Sequence, residues 1–181
     1  SRVRLAENTG LGMAKSGLAI FDEIATRISD TAVPVGSRNF LPEEPLRNVV
    51  AADMHIDGHL THVDITDSII EKTRFTAAND ADCSFDRIIF NECDLSGVTF
   101  VNCLFRHCLI VGAKSSSHLA FIDCNLDNLL IGQTRLEHLE FQNSKLGDVT
   151  LCDLRLRKLT FADCEKYKRR GQLTLNNIEL N

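Results

Sequence analysis

The chain has 181 residues, of which 44% are hydrophobic and 25% charged, and its net charge is −5. That length supports one domain with a sizeable core, or a core plus a small appendage. The balance excludes a disordered chain and a strongly basic nucleic-acid binder, and no apolar run reaches the ~18 residues of a membrane span. Trp is absent and Tyr occurs once, yet Phe occurs ten times and Cys seven. No secretory leader is expected. The chain opens at Ser1 rather than Met, which fits a processed start or a piece of a longer protein equally.

Residues 1–30 read as an N-terminal helical segment. Within it, Leu11–Ile28 places Ala14, Leu18, Phe21, Ala25 and Ile28 at i, i+3/i+4 spacing, with Met13 and Ile24 beside them. Asn8 or Thr9 can cap its start, and Pro34 lies past its end. A helix of this length is marginal alone, so its apolar face needs a partner. Residues 31–48 contain all three prolines and read as a linker.

Residues 49–181 carry a repeat. Steps of five from Leu60 give Leu60, Ile65, Ile70, Phe75, Asp80, Phe85, Phe90, Leu95, Phe100, Phe105 and Ile110. After a slip of one residue the series resumes as Ser116, Phe121, Leu126, Ile131, Leu136, Phe141, Leu146, Leu151, Leu156 and Phe161. Nineteen of these 21 slots hold Leu, Ile or Phe, where the overall hydrophobicity of 44% gives by chance about nine hydrophobic residues of any kind. A period of five suits neither a helix nor a plain strand. It suits a coil of short straight sides, each pointing one residue inward at its centre. By strand alternation the residue two before each centre also points inward. Those residues include Cys83, Ile88, Cys93, Val98, Cys103, Cys108, Cys124, Thr134 and Ser144, and none is charged. Two inward positions in five is the pattern of a solenoid.

Cys93-Asp94-Leu95-Ser96-Gly97 and Cys124-Asn125-Leu126-Asp127-Asn128 resemble the pentapeptide repeat, alanine-aspartate/asparagine-leucine-x-x, with Cys at the small first position. The resemblance spans roughly residues 59–163. It implies a mainly β fold: a right-handed quadrilateral β-helix of about 20 residues per coil, here preceded by an α-helix. Asp80 and Ser116 depart from the pattern and are expected to mark bulged corners near Ala77–Asp82 and Gly112–His118. About five coils are expected, a rod roughly 25 Å long at the sheet spacing. Past Phe161 the pattern breaks at Cys164–Gly171. Alternation resumes at Leu173, Leu175, Ile178 and Leu180 as a last strand, with no C-terminal helix expected.

The chemistry-bearing residues are sparse. Six cysteines (Cys83, Cys93, Cys103, Cys108, Cys124 and Cys164) fall at or near small inward slots and read as reduced core thiols, although neighbouring coils are close enough for a disulfide. Cys152 follows a centre and is expected to face outward. The odd count and buried placement suit a reducing compartment, hence a cytoplasmic location. His55, His59 and His62 lie near Asp53, Asp57 and Asp64, but on a strand and a corner rather than a helix, and no metal is expected. Ser115, Ser116, Ser117 and His118 are sequence neighbours, which rarely form a triad. No glycine-rich phosphate loop occurs. The chain therefore reads as a non-enzyme without a cofactor.

Two surfaces stand out. Ile69, Ile89, Leu109 and Leu130 precede successive centres of one side, with Val111 beside them. In register they form an outward apolar stripe that something must cover. The chain's own helix is the first candidate, then a second copy in a homodimer, then a foreign protein. Arg135, Arg155, Arg157 and Lys158 form a basic patch near the C-terminal end, followed by Lys166–Arg170. Asp82, Asn102, Asp123, Asn143 and Asp163 recur at outer corners and read as turn residues rather than an acidic binding strip. The expected role is a non-catalytic protein-interaction scaffold whose partner is a protein of unknown identity, not a membrane or a nucleic acid. One alternative is a sensing or targeting domain of a larger bacterial NTPase or effector. Another, implied by the resemblance alone, is a DNA mimic that binds topoisomerases. The modest charge and basic C-terminal end oppose it.

Overall fold

A computed structural model of the chain describes residues 15–35, 39–40, 44–113, 117–166 and 171–181. It is a parallel β-solenoid of about seven turns, 66% strand, with one helix, α1 (Lys15–Thr31). This is the mainly β coil, about 20 residues per turn, that was expected. Its four walls are named here by their inward centres. Wall A carries Phe100, Phe121, Phe141 and Phe161. Wall B carries Phe85, Phe105, Leu126 and Leu146. Wall C carries Ile70, Phe90, Ile110, Ile131 and Leu151. Wall D carries Phe75, Leu95, Leu136 and Leu156.

The corners explain the period. Among the described residues, eighteen that are not glycine take positive φ, and twelve of them are Asp or Asn. They fall two residues after an inward centre, as Asp82, Arg87, Glu92 and Asn102 do with φ of 51–56°. Short polar side chains tolerate this left-handed conformation best. Each corner turns the chain onto the next wall, and its N–H reaches the carbonyl just before the corner one coil on. Asp82 N donates to Val101 O at 3.0 Å, Asn102 N to Ile122 O at 2.9 Å, and Asp123 N to Gln142 O at 3.0 Å. These corner amides are thus paired, as folding requires of buried backbone donors.

Register varies along the rod. Ile65 pairs with Phe85 and Phe85 with Phe105, a step of 20 residues. Phe105 pairs with Leu126, a step of 21, across the slip seen in the sequence. Leu151 pairs with Leu175, a step of 24. At the start the step is 16, as in Val33 with Val49, and then 19, as in Val50 with Ile69. Val33–Val35, Asn39–Phe40 and Leu46–Arg47 pair in parallel with Val49–Ala51, His55–Ile56 and Ile65–Thr66. The stretch expected as a linker thus supplies the first rungs. With the terminal strand Leu173–Leu180, it raises five expected coils to seven. Pro34 is accommodated because Val33–Val35 pairs only with Val49–Ala51 among the strands, leaving an edge that needs no N–H from it.

The core is a stack of rings. Phe100–Phe121, Phe121–Phe141 and Phe141–Phe161 have centroids 5.6, 5.2 and 5.0 Å apart, with interplanar angles falling to 5°. Phe105 meets Phe100 edge-on at 5.0 Å, tying walls A and B together. Asp80 was expected in a bulge, and here the structure corrects the reading. Asp80 lies in a strand, pairs in register with Phe100, and is 1% exposed. Its Oδ1 accepts the Leu60 N–H at 2.8 Å. Burial pushes its pKa up to about 6, against the opposing pull of that hydrogen bond and of His59.

The cysteines have a specific task. Where the first inward side chain after a corner is Cys, Ser or Thr, it bonds back to the carbonyl just before that corner. Cys83 reaches Ala81 O at 3.3 Å, Cys103 Val101 O at 3.4 Å, and Cys124 Ile122 O at 3.4 Å. Ser68, Thr73, Thr134 and Ser144 make the same bond to Thr66, Glu71, Gly132 and Gln142. Cys, Ser and Thr interchange here because each is small and carries one donor. All seven cysteines are free thiols. Burial pushes Cys93 and Cys108 up to about 12, which makes them inert.

Candidate functional site

The outward apolar stripe is occupied within the chain. Phe21, Ile24, Ala25 and Ile28 on one face of α1 pack on Ile69, Ile89, Leu109, Val111 and Leu130 of wall C. All five stripe residues are at most 2% exposed. Burying each large side chain contributes roughly 1.5–3 kcal/mol, which a lone helix lacks. The stripe, the candidate interaction surface, is therefore covered by the chain's own helix, the first of the three occupants expected, and is not open to a second copy or a foreign protein. The expectation for Cys152 is corrected: the thiol lies under α1 in the same cluster and is 0% exposed. Facing out of the coil is not facing solvent when a helix lies on that wall.

Polar contacts pin the C-terminal turn of α1 to the first coils. Thr31 Oγ1 donates to Asn48 Oδ1 at 3.1 Å, and Asn48 Nδ2 donates to Thr31 O at 3.1 Å. Arg27 lies 3.4 Å from Asp67, which also takes two bonds from Arg87 at 2.5 and 3.0 Å. The Arg87 guanidinium holds the Asp67 carboxyl below its ordinary range.

The histidine cluster disperses. His55 Nε2 lies 3.2 Å from Thr76 Oγ1, His62 lies 3.6 Å from the Asp82 carboxylate, and His59 is exposed. Among the described residues no three His, Cys, Asp or Glu side chains gather as a metal site would require. His118 pairs with Thr99 Oγ1 at 3.2 Å. Ser115 and Ser116 lie outside the described residues.

The corner ladder is internally bonded. Asn102 Nδ2 donates to Asp82 Oδ1 at 2.7 Å, and Asn143 Nδ2 to Asp123 Oδ1 at 2.6 Å. Amides alternate with carboxylates, so successive charges stand two rungs apart, about 9.6 Å. That is a neutralised turn column, not a dense acidic strip. Further corner columns, through Asp67, Arg87, His107, Asn128 and Asp148 and through Asp153 and Asn177, escaped the sequence reading because their residue types are mixed.

The basic patch lies on wall D and its corner. Arg135 pairs in register with Arg155, and His138 with Lys158. Arg155 is 3.2 Å from Glu179, and Arg157 is 3.5 Å from Glu137. All four side chains of these ion pairs are at least half exposed, so water screens them. No ion pair forms at Arg135 or Lys158 among the described residues. Lys166 stands apart from this patch, on wall B opposite wall D, in register with Leu146. Glu179 could not be assigned from sequence because it follows the 24-residue step.

No family model matches the chain. No curated protein matches it significantly. Among solved structures the chain is similar to a trypsin-treated form of QnrB1, a plasmid-mediated fluoroquinolone resistance protein. The identity is 14% over 82% of this chain and 86% of that one, with a TM-score of 0.41. A second trypsin-treated form shares 13% identity over 83% and 92%, with a TM-score of 0.33. For full-length QnrB1 the identity is 13%, the coverages are 76% and 92%, and the TM-score is 0.21.

Proposed function

We propose that the chain is a non-catalytic protein-interaction scaffold that presents flat walls of in-register side chains. The observation that carries this reading is the filled interior. Phe rings and aliphatic residues occupy the coil from wall to wall, so recognition falls to the outside. There every side chain is placed at the rung spacing of ~4.8 Å on a rigid backbone. Wall C is taken by α1, which leaves walls A, B and D for a partner.

The reading is tested with photo-crosslinking residues placed in the full chain at Ala162 on wall A, Asn125 on wall B and Arg157 on wall D, with Leu109 as a covered control. Expressed in its own host, the protein should give a discrete protein adduct from at least one wall and none from Leu109. Absence of protein adducts from all three walls would remove the reading.

A further inference from the structure

Resting on that scaffold reading, we propose that wall D at the C-terminal end binds an acidic, extended polypeptide segment with carboxylates at alternate positions. The first observation is a cost the fold accepts. Cations directly opposite each other on adjacent strands destabilise a sheet, yet Arg135 and Arg155 stand in register, with Lys158 on the same rung as Arg155. Nothing in the core requires this, because all three side chains point outward and are exposed.

The second observation is incomplete neutralisation. Among the described residues the patch forms two ion pairs, Arg155 with Glu179 and Arg157 with Glu137, and Asp153 lines the same hollow as Arg155. Arg135 and Lys158 are left as exposed cations, while the carboxylates on Arg155 and Arg157 are solvated and exchangeable. A partner carboxylate can add to the first pair or replace the second.

The third observation is pitch. Arg155 and Arg157 lie two residues apart on one strand, so their side chains leave the same face about 6.6–6.8 Å apart. Any extended segment laid along the wall repeats its alternate side chains at that same distance. A Glu-x-Glu pattern therefore meets both guanidinium groups without distortion, whereas adjacent acidic residues point to opposite faces. Guanidinium groups suit this task because they bind carboxylates through a planar fork. The chain's net charge of −5 disfavours a nucleic acid, whose binding is dominated by long-range attraction to the whole protein.

The probe is a fluorescent eight-residue peptide of alternating Glu and Ser, titrated into the full chain by anisotropy. Binding should weaken with added salt. It should fall at least tenfold in the double variant Arg135→Glu, Arg157→Glu, whose unchanged circular dichroism excludes unfolding. Glu137→Gln should tighten it about twofold by releasing Arg157. A peptide with the same four glutamates in one block should bind several-fold more weakly. The proposal is overturned if the alternating peptide does not bind, if the block peptide binds equally well, or if a single-stranded oligonucleotide of equal charge binds more tightly. If the peptide fails while wall crosslinks persist, only this inference falls. Loss of the crosslinks themselves removes the scaffold reading.

Discussion

Asp80 carries a measurable penalty at neutral pH. Its carboxyl is buried in a core column that holds Leu60 and Phe100 one coil away on either side, and its pKa stands at about 6 against an ordinary 3.8. Burial is the main cause, and the Leu60 N–H offsets it only in part. At 1.36 kcal/mol per pKa unit, the ionised form costs the fold up to about 3 kcal/mol. The sign follows from proton uptake. Between about pH 4 and 6 the folded chain holds this proton while the unfolded chain has released it. Stability from this group is therefore present below that window and lost above it. Asp80→Asn keeps an oxygen acceptor for Leu60 and removes the charge. Urea unfolding of both proteins should show the variant more stable by about 2–3 kcal/mol at pH 7.5, with the gap closing by pH 4. Asp67, held low by Arg87, moves stability the other way in acid, but it is common to both proteins and cancels in the difference. An equal gap at both pH values, or a destabilised variant at pH 7.5, would refute the argument.

Phe121→Ala removes a fully buried ring stacked between Phe100 and Phe141 and should cost about 3–5 kcal/mol in chemical denaturation. Phe161→Ala, at the half-buried end of the same column, should cost less than half of that, and equal losses would deny the layered core. In thiol labelling under native conditions, Cys164 should react first and Cys152 should stay protected. Leu109→Asp should loosen α1 and accelerate Cys152 labelling at least tenfold while leaving Cys103 unchanged. If Cys152 labels as fast as Cys164 in the unaltered protein, α1 does not cover wall C.

The sequence by itself determined the coil. A five-residue period whose inward slots are uncharged except at Asp80 admits little else, because a charge inside a dry column costs too much to recur. It also disclosed which residues share a wall, so the stripe of Ile69, Ile89, Leu109 and Leu130 was legible, as were the basic residues of wall D. What lies over a wall was not. Periodicity reports the face a residue takes within its own coil, whereas its surroundings come from segments far away in sequence. Arg27 meets Asp67 forty residues on, α1 shields Cys152, and Glu179 reaches Arg155 only through a 24-residue coil. Asp80 shows the same division. The five-residue step put it on an inward slot but its charge read as a bulged corner, and only the tertiary structure supplied the Leu60 amide that lets a carboxylate remain inside.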